Sequence, residues 1–156
     1  QYVQAPRAAG TALIVGGNFT ATGTKSFRIT HPLDNTKYLY HAAVESPKLD
    51  LIYRGTIDLV NGFADIDLDK ISNMTSGTWI KLNRNPQFFL QNMNGWNRLK
   101  GEVSGSHLLI YCEDSSSIEK VSYMVVGERQ DDDIKESFGT DNEGNLIMER
   151  NKSEDN

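Results

Sequence analysis

The sequence predicts an all-β protein: an antiparallel β-sandwich of about ten strands behind a short β-stem, with an extended acidic C-terminal tail. Three observations predict it. Short runs alternate apolar and polar residues, the period of a half-buried strand. Turn signals rich in Gly, Pro, Asn and Ser recur between them at even spacing. No amphipathic helical period is sustained anywhere before residue 130.

Composition sets the bounds. The chain has 156 residues, 38% of them hydrophobic and 24% charged, which fits one folded domain and neither a disordered nor a membrane composition. Residues 130–156 hold nine of the 21 acidic residues but three of the 16 basic ones, so the acidity lies in the tail and the body is near neutral. Neither part offers the basic face that nucleic acid requires, so no nucleic-acid partner is expected. No apolar run approaches the ~18 residues of a membrane span, so no membrane insertion is expected. The start QYVQAPRAAG lacks an initiator Met and a charge-then-apolar leader pattern, and reads as the start of a piece of a longer or processed chain. The single cysteine, Cys112, rules out an internal disulfide and reads as a small buried hydrophobe in the run LLIYCED.

In chain order, residues 1–25 read as a linker and the end of a β-stem: apolar 13–15, the Gly16-Gly17 break, then 18–22. Residues 26–129 read as the sandwich domain and 130–156 as the tail. Residues 27–30 alternate with Phe27 and Ile29 on one face; His31-Pro32 stops that strand, because proline cannot donate to a ladder. Turn chemistry follows at 33–36. Residues 37–45 then alternate, with Tyr38, Tyr40, Ala42 and Val44 on one face and Leu39, His41, Ala43 and Glu45 on the other.

The next strand, 51–60, points Leu51, Tyr53, Ile57 and Leu59 inward. Asn61-Gly62 is the strongest hairpin signal of the chain, since both residues accept the positive φ of a type I′ turn. The return strand 63–68 buries Ala64, Ile66 and Leu68. Residues 69–77 connect. Strands are then expected at 78–83 and 87–93. An Asn94-Gly95 turn returns the chain through 96–103, and Ser104-Gly105 turns it into 107–113. Residues 121–127 (VSYMVVG) are apolar on both faces, the mark of a central, covered strand.

Candidate chemistry is sparse. His31, His41 and Glu45 would be close enough to hold a metal if the two strands of the first hairpin placed the histidines side by side; single histidines bonded beside strands are the commoner arrangement. Asp65 and Asp67 lack the loop glycines and further ligands of a calcium site. No serine sits in a nucleophile elbow, no glycine-rich loop cradles a phosphate and no carboxylate pair has a glycosidase setting. Neither catalytic residues, nor a metal, nor a cofactor is expected, and the protein reads as a non-enzyme. Among the aromatic residues most must be core. Trp96, beside the turn at Asn94, is the best placed to meet a ligand or receptor.

The phrase FRITHPLDNTKYLYHAAVESP, followed by YRGTIDL, resembles a module of virion structural and tail-fibre-like proteins of tailed bacteriophages and their prophage relatives. The phrases MTSGTW, YCEDSSS and VSYMVVGERQDD are similar to the form seen in marine phage structural proteins, and GGNFTATGTKSF is similar to the glycine-punctuated stem before the module. The resemblance covers residues 18–134. It departs from other members after residue 68, where they carry a longer acidic-aromatic phrase and this chain has DKISNMTSGTW.

The resemblance implies a non-enzymatic virion component on an external appendage. It further implies a homotrimer in contact with other virion proteins and with a glycan or protein of the host surface. The motif residues His31, Pro32, Asp34, Tyr38, Tyr40, His41 and Glu45 are then fold-determining turn and core positions. The alternatives are a carbohydrate-binding module that stacks sugars on aromatic faces, and a glycan-degrading tailspike domain.

Overall fold

The computed structural model describes residues 15, 19, 21–137 and 139–151. The all-β class holds. The chain divides into two compact units at Glu45/Ser46. The stem strands expected at 13–15 and 18–22 fall almost wholly outside the described residues.

The first unit contains one antiparallel pair, β1 (Ser26–His31) with β2 (Asp34–Ala42). The turn is tighter than the sequence suggested: Pro32-Leu33 alone form it, and His31 pairs with Asp34. The Asp-Asn-Thr turn chemistry is spent instead on an irregularity inside β2, where the register jumps from Thr30↔Tyr38 to His31↔Asp34. There the Asp34 carboxylate accepts the Thr36 N–H at 3.0 Å and its hydroxyl at 2.6 Å, which stabilises the extra residues. His31 Nδ1 accepts the Leu33 N–H at 3.1 Å and closes the turn.

The second unit, from Ser46 onward, holds two three-stranded antiparallel sheets. One has the order β3 (Asp50–Asp58), β8 (Lys120–Arg129), β5 (Asn83–Asn92); the other has the order β4 (Phe63–Asp67), β7 (His107–Cys112), β6 (Leu99–Ser104). Alternation decides the faces. Val121, Tyr123 and Val125 of the first sheet and Ile66, Leu108 and Ile110 of the second are buried in one core with Leu59, Leu68 and Trp79. Each such aliphatic side chain contributes about 1.5–3 kcal/mol by leaving water. Where the sheets come closest a side chain is left out: a Cβ on Gly101 would meet the Phe88 ring at 2.5 Å and Leu90 at 2.9 Å.

Strand β8 is central in its sheet, as expected from its apolar run. Its outer residues Met124 and Val126 are half-buried, however, with exposed Ile52 and Phe89 on their flanks.

The expected turns form, but two of them do not make hairpins. Asn61 and Gly62 take φ of 51° and 73°, and Val60 and Phe63 exchange backbone bonds of 2.9 and 3.1 Å across them. Beyond that bridge the chain diverges, β3 to β8 and β4 to β7, so the turn passes the chain from one sheet to the other. The Asn94-Gly95 turn does the same between β5 and β6. The β6–β7 turn, with Gly105 at φ 60°, is a true hairpin.

Residues 78–82 are not a strand. Two short helices, α1 (Leu68–Ile71) and α2 (Thr78–Leu82), precede β5, and the strand begins at Asn83. The cause is Asp69, 2% exposed, whose carboxylate accepts the N–H groups of Gly77 at 2.7 Å and Trp79 at 2.5 Å. Those bonds satisfy donors that a first helical turn leaves open and sink Trp79 into the core, edge-on to Tyr53. Burial opposes ionisation of Asp69. The bonds from Trp79, Gly77 and Ser106, with His107 nearby, outweigh it and hold the carboxyl below the usual carboxylate range.

Part of the segment expected to be an extended or disordered tail, residues 131–137 and 139–147, is folded. Asp131 caps a third short helix, α3 (Asp132–Lys135), and Ile134 is 8% exposed. A turn at 141–145 follows, in which Asp141 accepts the N–H groups of Glu143 and Asn145. Arg84 holds that turn, donating to the Glu143 carbonyl at 2.5 Å, to Asn145 at 2.7 Å and to Glu128 at 3.2 Å.

Candidate functional site

The best-built candidate is the end of the second unit where three loops meet: the turn at 60–63, the loop at 92–98 and the loop at 113–119. Backbone bonds tie them together. Gly62 N–H donates to the Ser117 carbonyl at 2.8 Å, Leu59 N–H to Glu119 at 2.9 Å, and Glu113 N–H to Arg98 at 3.0 Å.

Glu119 organises this end. Its Oε2 accepts from the Asn92 amide at 2.6 Å, the Asn97 amide at 3.1 Å and the Ser117 hydroxyl at 3.1 Å. The Asn92 bond does most to hold the carboxyl below its usual range, aided by Asn97 and Ser117 and opposed by burial and by Asp114. Gly95 is packed so closely on the carboxylate that a Cβ there would collide with it. Asn92 Oδ1 accepts the Gly95 N–H at 2.9 Å, and Asn94 Oδ1 accepts the Lys120 N–H at 2.8 Å.

The effect is a pinned loop with one side chain held outside it. Trp96 is 101% exposed, while the residues on both sides of it are half-buried. The same three loops carry exposed Val60, Met93 and Ile118. Of the two sequence candidates, Trp96 is thus presented to solvent, and Asn94 anchors the loop to β8. Glu119 was not anticipated: it lies 22 residues from Asn97, and only the fold brings them together. Cys112 packs half-buried against the core, its Sγ 3.9 Å from the same carboxylate.

The motif residues of the first unit gather on the β1–β2 hairpin. Phe27, not His31, is the cross-strand partner of His41, and the two rings stack at 5.0 Å. The histidines therefore sit at opposite ends of the hairpin, which removes the reason to consider them joint ligands; among the described residues no group of three His, Cys, Asp or Glu is arranged for a metal ion. Glu45 pairs with Lys25 at 3.0 Å and Asp34 with Lys37 at 2.7 Å. Tyr38 lies under the Arg28 guanidinium at 4.4 Å, and Tyr40 is cross-strand from Arg28. Tyr38, Tyr40 and His41 are exposed, so in the chain by itself they are not core positions.

A groove lined by Thr78, Lys81, Gln130, Asp131 and Lys135 is a weaker candidate. Its polar groups are occupied in holding the fold: Gln130 donates to the carbonyls of Ile80 and Asn83, and Asp131 takes a two-bond fork from Arg129.

No family model matches the chain, and neither curated proteins nor solved structures give a match. Among the described residues no helix is long and apolar enough to cross a membrane.

Proposed function

We propose that this chain is a non-enzymatic structural protein of a bacteriophage virion, a domain of a tail fibre or similar external appendage, assembled as a homotrimer and used in host attachment. One observation carries the reading beyond the motif resemblance. The HPLD–KYLYH phrase builds a hairpin in which no described residue from 21 to 48 is buried. A two-stranded sheet of that kind is marginal in water and gains its stability from a neighbour. That suits a subunit of an assembly better than a free-standing module. The loop end around Trp96 supplies a preformed contact surface, with outer loops meeting a host surface or adjoining virion proteins.

The test is localisation. Antibody against the chain should label an external appendage of purified particles made from the genome that encodes it, seen by electron microscopy. Absence from the particle, or a position inside the capsid, would overturn the reading.

A carbohydrate-binding module is the second reading, favoured by the full exposure of Trp96 on a rigid loop. Glycan-array binding that Trp96→Ala abolishes would support it; an array with no signal for the wild type removes it.

A further inference from the structure

We propose that Asn61 is a site of spontaneous deamidation in the folded protein, with the loop at 113–119 as its latch, and that the fold protects the chemically matched site at Asn94.

The sequence places Asn before Gly at Asn61-Gly62 and at Asn94-Gly95. In such a pair the glycine nitrogen can approach the side-chain carbonyl carbon of asparagine, because no Cβ stands in the way. The nitrogen attacks that carbon and a C–N bond closes a five-membered succinimide. The side-chain nitrogen leaves as ammonia and takes the proton of the glycine N–H with it. Water then opens the ring at either carbonyl, giving aspartate or isoaspartate. No oxidant, reductant or cofactor is needed.

The step requires a free glycine nitrogen and an asparagine amide free to turn toward it. At Asn94 the fold withholds both. Gly95 N–H donates to Asn92 Oδ1 at 2.9 Å, and Asn94 Oδ1 accepts the Lys120 N–H at 2.8 Å. Asn92 is itself bonded to Glu119, so releasing Gly95 disturbs the whole cluster at that end.

At Asn61 the fold withholds only the nucleophile. Asn61 is exposed, and its side-chain amide has no hydrogen-bond partner among the described residues. Gly62 N–H donates to the Ser117 carbonyl at 2.8 Å. The backbone of Asp114 and Ser115 covers Gly62 so closely that a Cβ there would meet it at 2.5 and 2.8 Å. That cover belongs to a surface loop, exposed from 113 to 116. Such a loop opens at a lower free energy than the whole fold. One local opening therefore frees the Gly62 nitrogen beside an amide that is already free. The product carries a new carboxylate, and isoaspartate adds a carbon to the main chain at the turn where Val60 and Phe63 exchange bonds.

The experiment holds the full chain in mildly alkaline buffer for weeks, then maps it by protease digestion and mass spectrometry. Asn61 should convert at least about fivefold faster than Asn94 in the native protein. In urea the two should convert at similar rates. An unconverted Asn61, or Asn94 converting first, overturns the proposal. So does a preference for Asn61 that is equally large in urea, since it would then belong to the local sequence and not to the fold.

The latch has its own test. The Asp114 carboxylate accepts the N–H and hydroxyl of Ser116 and so braces the loop. Asp114→Ala should speed conversion of Asn61 and leave Asn94 unchanged; an unchanged Asn61 rate overturns the latch. Should that variant not fold, amide hydrogen exchange of the wild type replaces it. Gly62 is expected to exchange faster than Gly95, and the reverse order overturns the latch.

Discussion

Gly95 rests against the carboxylate of Glu119, and the space between them admits no Cβ. The far end of a glutamate can usually swing away from an added methyl group. This one is fixed by Asn92, Asn97 and Ser117, so moving it breaks the bonds that hold the loop. Gly95→Ala should therefore lower Tm by about 2–8 °C in a thermal melt. Trp96→Ala should leave Tm within about 2 °C, because a fully exposed side chain has no packing to lose. Equal losses from both would contradict the division between a pinning residue and a presented one.

Asp69 decides whether residues 78–82 are helical. Its removal leaves the Gly77 and Trp79 N–H groups without their acceptor in a buried place. Asp69→Ala should cost roughly 3 kcal/mol in urea unfolding, and Asp69→Asn less, since an amide oxygen still accepts. A blue-shifted tryptophan emission maximum retained in both variants, with unchanged unfolding midpoints, would show that the cap is incidental.

His107 makes stability depend on pH. Its ring N–H lies 2.6 Å from Asp65 Oδ1, and that hydrogen bond, against some desolvation and with Asp65, Asp67 and Asp69 adding attraction, raises its pKa above the usual 6.5. A raised pKa in the folded state means the protonated form is favoured by folding. The contribution is complete below pH 6.5 and fades as pH rises through the raised value. Both side chains are nearly half exposed, which screens the effect and keeps it small. The urea midpoint should fall modestly between pH 6 and 8, and Asp65→Asn should flatten that slope. A slope that survives Asp65→Asn would assign it to another group.

Arg84 fastens the C-terminal turn to the sheet. Arg84→Ala removes its bonds to Glu143 and Asn145 and leaves the Glu128 carboxylate, 8% exposed, with Lys48 and Asn85 alone. A loss of roughly 3 kcal/mol is expected. Limited proteolysis should cut within 139–150 at least tenfold faster in the variant, since release of the turn exposes its backbone.

Alternation made most of the fold legible. The inward positions Leu51, Tyr53, Ile57 and Leu59 are all buried or half-buried, as are Ala64, Ile66 and Leu68. What alternation cannot convey is which strand lies beside which. Asn61-Gly62 has the chemistry of a hairpin, and the turn it makes has the right dihedrals. Its two strands nevertheless join different sheets, because their partners β8 and β7 come later in the chain. TWIKL looks like a strand by propensity; a carboxylate ten residues back makes it a helix. The candidate site was half visible. Trp96 stood out beside a turn, whereas Glu119 had no local signal, since Asn92 and Asn97 are brought to it from a distant loop.

The sheet of β3, β8 and β5 has as its middle strand the one made last. During synthesis β3 and β5 leave the ribosome with no strand between them. Every ladder bond they form in the finished sheet waits for residues 120–129. Such long-range pairing slows folding, and a nascent chain halted before residue 120 would offer two open sheet edges to any neighbour. The completion of this sheet is thus set by residues 120–129, and a polysome crowded with copies is where its mispairing would begin.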